Sequence, residues 1–252
     1  MRHKHTQAPP ARYFSTDLAM IHDEAFGDFA RQACREVLAT LQGHPLENPR
    51  LLDLGCGSGI FEEALVGSHF LLSGVDLSES MIARARKKVP SATFWVDSFW
   101  ECDFPHSDIV VSIGECINYE LDRVNSYERL EALFSKVHRS LSEGGYFIFD
   151  LLIDKATDED YNASAVRVHH HKEWSVILER TEEEGLITSR FTTYTAVGKD
   201  LYRKREEVHL QRRYNLAAVL DILLKLGFQN LLKHGYANLR LPRGHVVIVA
   251  TK

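Results

Sequence analysis

Cysteine is scarce: four in 252 residues, Cys34, Cys56, Cys102 and Cys116, with no Cys-x-x-Cys pair. That excludes a disulfide scaffold and a zinc knuckle and leaves four structural or tolerated thiols. A basic surplus is also lacking, since 30 Lys plus Arg stand against 35 Asp plus Glu for a formal net charge of −5. Nothing in the composition is therefore suited to neutralising a phosphate backbone, and no nucleic-acid partner is expected. No apolar run reaches the ~18 residues of a membrane span; residues 145–153 form a strand-sized run, and no apolar signal segment follows Met1. The expectation is a soluble, cytoplasmic protein with no membrane partner.

What is present is ordinary globular usage, 44% apolar and 26% charged, which excludes wholesale disorder. The first dozen residues, with His3, His5, Pro9 and Pro10, lack periodicity and read as an arm. Leu18, Ile21 and Ala25, then Phe29, Ala33, Val37 and Leu41, recur at helical spacing, with a break at Gly27-Asp28 and a stop at Gly43-His44-Pro45. From Leu51 the rhythm becomes short apolar runs alternating with amphipathic stretches, predicting strands at 50–54, 70–75, 92–96, 108–113 and 146–151. Before the last of these, Leu130, Leu133, Phe134, Val137 and Leu141 share a helix face that Gly144-Gly145 is expected to end. Five such strands imply one α/β, doubly wound sheet with ligands at the carboxyl ends of its strands.

Beyond Asp150 the rhythm breaks. Segments 172–180, 186–196 and 201–214 are joined by Glu183-Glu184-Gly185 and Val197-Gly198-Lys199-Asp200, which is hairpin chemistry, so a small antiparallel β insert is expected. A helix capped by Asn215 and followed by Gly227 then leads into strands at 228–236 and 245–250. The organisation expected is a single domain over 1–252, with a helical cap at 14–44 and the insert at 160–214.

The informative stretch is Leu51-Leu52-Asp53-Leu54-Gly55-Cys56-Gly57-Ser58-Gly59, a buried strand running into a glycine turn and a helix. Alternate glycines allow a tight bend and close ligand approach beside the helix N–H groups. The spacing is G-x-G-x-G rather than the dinucleotide G-x-G-x-x-G, and Asp53 before it repels a pyrophosphate but suits a ligand bearing an ammonium group. Asp76 ends the second strand, 17 residues after Gly59, where a carboxylate can accept both hydroxyls of a ribose. Asp97, in Val96-Asp97-Ser98, ends the third and can receive the exocyclic amine of adenine. Together these ends describe an adenosine without a pyrophosphate.

In that combination the stretch 51–151 resembles the class I S-adenosylmethionine-dependent methyltransferases: D-L-G-C-G-S-G, then G-V-D-L-S-x-x-M, then V-D-S. The resemblance implies a Rossmann-like, seven-stranded, mostly parallel sheet with its last strand antiparallel, and S-adenosylmethionine as cofactor. It implies Asp53, Gly55, Gly57, Ser58 and Gly59 at the methionine end, Asp76 on the ribose, Leu77 and Met81 along the adenosine, and Asp97 with Ser98 at the adenine. The continuation of the fourth strand, with Ile113 and Gly114, also resembles bacterial small-molecule members of the family, and no D-P-P-Y or N-P-P-Y tetrapeptide of amino methylases occurs.

The expected reaction is methyl transfer to a nitrogen or oxygen of a small-molecule acceptor, with Glu115, His22 and Tyr119, in that order, as candidate bases. The insert is expected to cover the acceptor pocket or to join two copies in a homodimer. Asp150, at the end of the fifth strand, is a candidate lining residue. His169-His170-His171 points alternately to opposite faces of an extended segment and reads as a solvated strand start, so no metal is expected. The competing readings are an NAD-dependent oxidoreductase, a non-catalytic S-adenosylmethionine sensor and a methylase of macromolecules.

Overall fold

The structure, a computed structural model, describes residues 13–25, 27–41, 47–120, 126–154 and 164–252. The arm over 1–12, the Gly43-His44-Pro45 stop and the start of the expected insert lie outside the described residues. Helices α1 (Thr16–Ala25) and α2 (Gly27–Thr40) come first, parted at the expected glycine. There follow β1 (Arg50–Leu54), α3 (Ile60–Glu63), β2 (Leu71–Asp76), α4 (Glu79–Lys88), β3 (Thr93–Val96), β4 (Ser107–Ser112), α5 (Tyr127–Ser140) and β5 (Leu141–Leu152). Strands β6 (Ser164–His170), β7 (Trp174–Glu183), β8 (Leu186–Gly198) and β9 (Leu201–Arg212) precede α6 (Leu216–Lys225), β10 (Gln229–Lys233), β11 (Gly235–Tyr236), β12 (Leu239–Arg240) and β13 (His245–Thr251).

Seven strands form one sheet in the order β10-β13-β5-β4-β1-β2-β3. β1 through β5 pair in parallel, and the last strand, β13, runs antiparallel between β5 and β10. Alternation along buried strands divides the core in two. Phe147, Phe149 and Leu151 face Leu130, Leu133, Phe134 and Val137 of α5 and Val219 and Leu223 of α6. Tyr146 and Ile148 face the other way, with Ala33, Cys34 and Val37 of α2. Helix starts are set by side chains that satisfy free N–H groups: Ser78 accepts from Met81 (3.2 Å), Ser126 from Arg129 (3.2 Å) and Asn215 from Ala218 (3.1 Å). Among the described residues no helix is long and apolar enough to cross a membrane.

Three expectations are corrected. Helix α5 ends at Ser140 and β5 starts at once, so Gly144-Gly145 lies inside the strand, where its register against β4 jumps. A Cβ on Gly145 would sit 2.8 Å from the Ser142 carbonyl and 2.9 Å from that of Asp108, so backbone crowding, not helix termination, requires glycine there. The segment 228–236 is broken into β10 and β11, and β11 leaves the main sheet to pair with β12. The antiparallel sheet has four strands, β6-β7-β8-β9, because Ser164–His170 pairs along β7; His169 and His170 belong to that strand and are exposed.

Position follows from topology. The chain leaves β5 at its carboxyl end to build the small sheet and returns there, so this sheet hangs over the edge where ligands are expected. Asn118 fastens the return. Fully buried, it donates to the carbonyls of Leu152 (2.9 Å) and Arg212 (2.7 Å) and accepts from Leu152 N–H (3.0 Å). Asn118→Ala strands these backbone groups without partners and should lower stability by about 2–4 kcal/mol; urea unfolding of the purified variant checks it, and an unchanged midpoint would remove Asn118 as the fastening.

Candidate active site

The carboxyl ends of β1, β2, β3 and β4 converge on a cleft lined by Tyr13, Phe14, Gly55, Asp76, Leu77, Ser78, Asp97, Ser98, Phe99, Cys116 and Tyr119. After β1 the turn is held by Gly55 and Cys56 N–H groups donating to the Val75 carbonyl (2.8 and 3.1 Å), and Gly55, Gly57 and Gly59 all have positive φ. Gly55 must also lack a Cβ because Cys116 Sγ lies 2.6 Å from where one would be. Gly57 has no heavy atom within 4 Å of its missing Cβ, so the turn presents open backbone.

Asp76 is pinned from both sides: Oδ2 accepts from Gly57 N–H (3.0 Å) and Oδ1 from Ser78 N–H (2.8 Å). Burial outweighs those two hydrogen bonds and leaves its pKa raised. Asp97 is exposed at the cleft edge and accepts from the Ser98 N–H (2.7 Å). Asp53 is buried with Oδ1 unpartnered, and Glu62, fully buried, has neither carboxylate oxygen hydrogen-bonded. Burial first, then the neighbouring carboxylates, pushes Asp53 well above the ordinary range. Burial also drives Glu62 up to about 8. This is a cluster of buried acids that burial holds partly protonated.

The sequence expectations land unevenly. Asp76, Leu77, Asp97, Ser98 and Gly55 line the cleft together. Met81 is buried in the first turn of α4, and Ile113 is buried after β4. Ser58 is buried and donates to Asp23 Oδ1 (2.6 Å), tying the glycine turn to α1, while Asp23 is also paired with Lys88 and Arg84. Asp150 is fully buried rather than a lining residue: it accepts from Gly114 N–H (2.9 Å), from Glu115 N–H and from Tyr236 Oη–H (2.6 Å). Those bonds hold Glu115 in the left-handed region (φ 61°), unusual without glycine.

Of the candidate bases, Tyr119 lines the cleft and the other two do not. Glu115 has Oε1 2.7 Å from His245 Nε2 and Oε2 3.0 Å from Gln211 Nε2. Burial pushes its pKa up, but the bond and charge of His245 outweigh this and leave it lowered, which makes it a weak proton acceptor. His22 packs edge-on against Phe14, and burial lowers it to about 4. Tyr119 is raised, by burial and then by Glu115.

Two features were missed from sequence. Residues 13–15 strap the cleft: the Phe14 carbonyl accepts from Ser78 Oγ (2.8 Å), Ser15 N–H donates to Glu207 Oε1 (3.0 Å), and Tyr13 Oη donates to the Glu120 carbonyl (3.2 Å). His209 of β9, 1% exposed, lies against Tyr13, Phe14 and Tyr119 with ring centroids 5.3, 4.8 and 5.8 Å away. Neither has a local sequence signal, since both depend on the small sheet folding back over the cleft.

The buried acids make a stability prediction. Glu62 is protonated more readily in the fold than in the unfolded chain, so its contribution is favourable at low pH and is lost as pH rises from about 4.5 towards 8. Glu62→Gln should gain stability relative to the parent over that window; thermal melts at stepped pH check it, and a constant difference across the range would contradict the buried-acid account.

Known proteins agree with this geometry. A family model described as "Methyltransferase domain" matches residues 51–145. A chain of Geobacillus sp. (strain WCH70) with a methyltransferase name is 26% identical over 71% of this chain and 73% of its own length. An S-adenosylmethionine-dependent methyltransferase structure from Clostridium acetobutylicum superposes with TM-score 0.77 at 20% identity, covering 92% of this chain and 96% of that one. The sugar N-methyltransferase KedS8 from Streptoalloteichus superposes with TM-score 0.73 at 19% identity, covering 100% and 98%. Residues 51–145 thus match the methyltransferase domain, and with the acid-led glycine turn, the strand-end carboxylates and the antiparallel seventh strand these matches support a class I S-adenosylmethionine-dependent methyltransferase.

Proposed function

We propose that this methyltransferase acts on a nitrogen or oxygen nucleophile of a small-molecule acceptor held between the strand ends and the antiparallel sheet. The observation that carries the reading is the set of buried carboxylates beside an open glycine turn, under a sheet that leaves a narrow covered cleft. S-adenosylmethionine carries a sulfonium and an ammonium, so it fits a site where Asp53 has an unpartnered buried oxygen two residues before the turn. In this reading Asp53, Gly55, Gly57, Ser58 and Gly59 hold or shape the methionine end. Asp76 takes the ribose hydroxyls, Leu77 and Met81 pack along the adenosine, Asp97 and Ser98 meet the adenine, and Ile113 with Gly114 closes the side towards β4.

When bound, the cofactor supplies an activated methyl group on sulfur. The chain has then to align the acceptor with that methyl and exclude water, which is an orientation problem more than one of acid strength. The strap of Tyr13 and Phe14 and the aromatic wall with Tyr119 serve both ends. A small acceptor is supported by the covered cleft, by the absence of a basic surplus in the composition, and by KedS8, whose name records a sugar as acceptor.

Asp76→Asn keeps one acceptor oxygen for the turn and removes the charge from the ribose position. It should weaken S-adenosylmethionine binding roughly ten- to a hundredfold with the fold intact. Calorimetry with S-adenosylmethionine and NAD on parent and variant checks it: NAD binding in preference to S-adenosylmethionine would overturn the reading, and unchanged affinity in the variant would remove Asp76 from the ribose.

A further inference from the structure

The inner face of the antiparallel sheet carries a row of polar side chains that cofactor binding leaves unused. Register sets Arg180 of β7 opposite Ser189 of β8 and Ser189 opposite His209 of β9, with Ala165 of β6 closing the row. Adjacent strands lie ~4.8 Å apart, so Arg180 and His209 stand roughly 10 Å apart at Cα, and both side chains can reach one small molecule.

A guanidinium on an inward face is costly unless partnered. Yet Arg180 Nε is buried without a hydrogen-bond partner, and among the described residues Arg180 forms no salt bridge. Carboxylates on the same sheet and beside it are committed elsewhere: Glu115 to His245 and Gln211, Glu182 to Arg213, and Glu207 to Ser15 and His209. Arg180 lies near enough to Glu115 and the cleft-lining Tyr119 for its charge to act on the pKa of both in the lowering direction.

His209 closes the other end. Its Nε2 lies 3.3 Å from Glu207 Oε2, while Nδ1 is buried with no partner. With the ring proton on Nε2 towards Glu207, Nδ1 holds the lone pair. Phe191, 4.8 Å away between ring centroids, and the cleft-lining Tyr13, Phe14 and Tyr119 keep that nitrogen in apolar surroundings next to the cofactor cleft.

We propose that this row is the acceptor site, and that it takes a small molecule whose anionic group, carboxylate or phosphate, is held by Arg180 while its nitrogen or oxygen nucleophile meets His209. The proposal rests on the methyl-transfer reading above and names the acceptor class for it. A planar, permanently charged guanidinium matches two oxygens of either anion. In the transfer the nucleophile's lone pair forms the bond to the methyl carbon, and the electron pair of the breaking carbon–sulfur bond stays on sulfur. The proton released by the nucleophile passes to Nδ1 of His209, and Glu207 offsets the imidazolium charge.

The test uses the full chain and paired probes: glycine against glycinamide, salicylate against salicylamide, and glycerol phosphate against glycerol. Binding is read by calorimetry with S-adenosylhomocysteine present, and turnover as S-adenosylhomocysteine formed from S-adenosylmethionine. The parent should prefer the anionic member of at least one pair by roughly ten- to a hundredfold, the carboxylate and phosphate arms telling the two anions apart. Arg180→Gln should erase that preference, and Arg180→Lys should restore part of it, both with cofactor affinity kept. For the preferred probe, His209→Gln should lower kcat roughly 10²–10⁴-fold with little change in KM. Equal response to both members of every pair, or an undiminished preference in Arg180→Gln, would overturn the anion site, and unchanged kcat in His209→Gln would overturn the proton transfer. A parent that binds no S-adenosylmethionine would instead overturn the reading underneath.

Discussion

A cluster of buried acids, held partly protonated by burial at the carboxyl ends of the central strands, governs this molecule. Asp53, Glu62 and Asp150 lie out of water there and Asp76 is half-buried in the cleft wall, and an unpaired buried carboxylate is among the costliest groups a fold can hold. The surroundings answer that cost in different ways. Asp150 is met by two backbone N–H groups and a tyrosine hydroxyl, and Asp76 by two backbone N–H groups. Asp53 and Glu62 face each other, and neither Asp53 Oδ1 nor the Glu62 oxygens have a donor from elsewhere. Lys88 acts on Glu62 only from a distance, being paired directly with Asp23. The open glycine backbone lies beside these acids, so a cofactor that carries positive charge fits the proposed site.

The second constraint is the sheet that covers the cleft. Its placement follows from where the chain leaves and re-enters the main sheet, and Asn118, the bridge between Tyr119 and Gln211, and the pairing of Arg212 with Glu120 (2.5 Å) lock it there. Asp17 of α1, buried and paired with Arg203 and Arg205, ties the helical cap to the same sheet. Cap, strap and sheet thus enclose one space, and the groups that reach it come from three regions far apart in sequence.

This explains what the sequence could and could not reveal. The parallel strands were legible because continuous apolar runs bounded by glycine carry their own signal, and Asp53, the glycine turn, Asp76 and Asp97 were legible because each is placed by its own strand end. The ion pair of Glu115 was not legible because its position after β4 is local, whereas its partners His245 and Gln211 lie 130 and 96 residues away. Strand β6 was missed because its exposed valines and histidines mimic a solvated segment until β7 pairs with it. Arg180 and His209 become neighbours only through the register of β7, β8 and β9, which no single window of sequence contains.

The central claim is that the cofactor's positive charge settles buried acids held partly protonated by burial. Counting the protons exchanged when S-adenosylmethionine binds, by calorimetry near neutral pH in buffers of different ionisation enthalpy, tests it most directly. Glu62, raised to about 8, and Asp53, raised with it, should ionise as the cation arrives, so net proton release is predicted. Binding with no proton exchange, or with net uptake, would contradict the account.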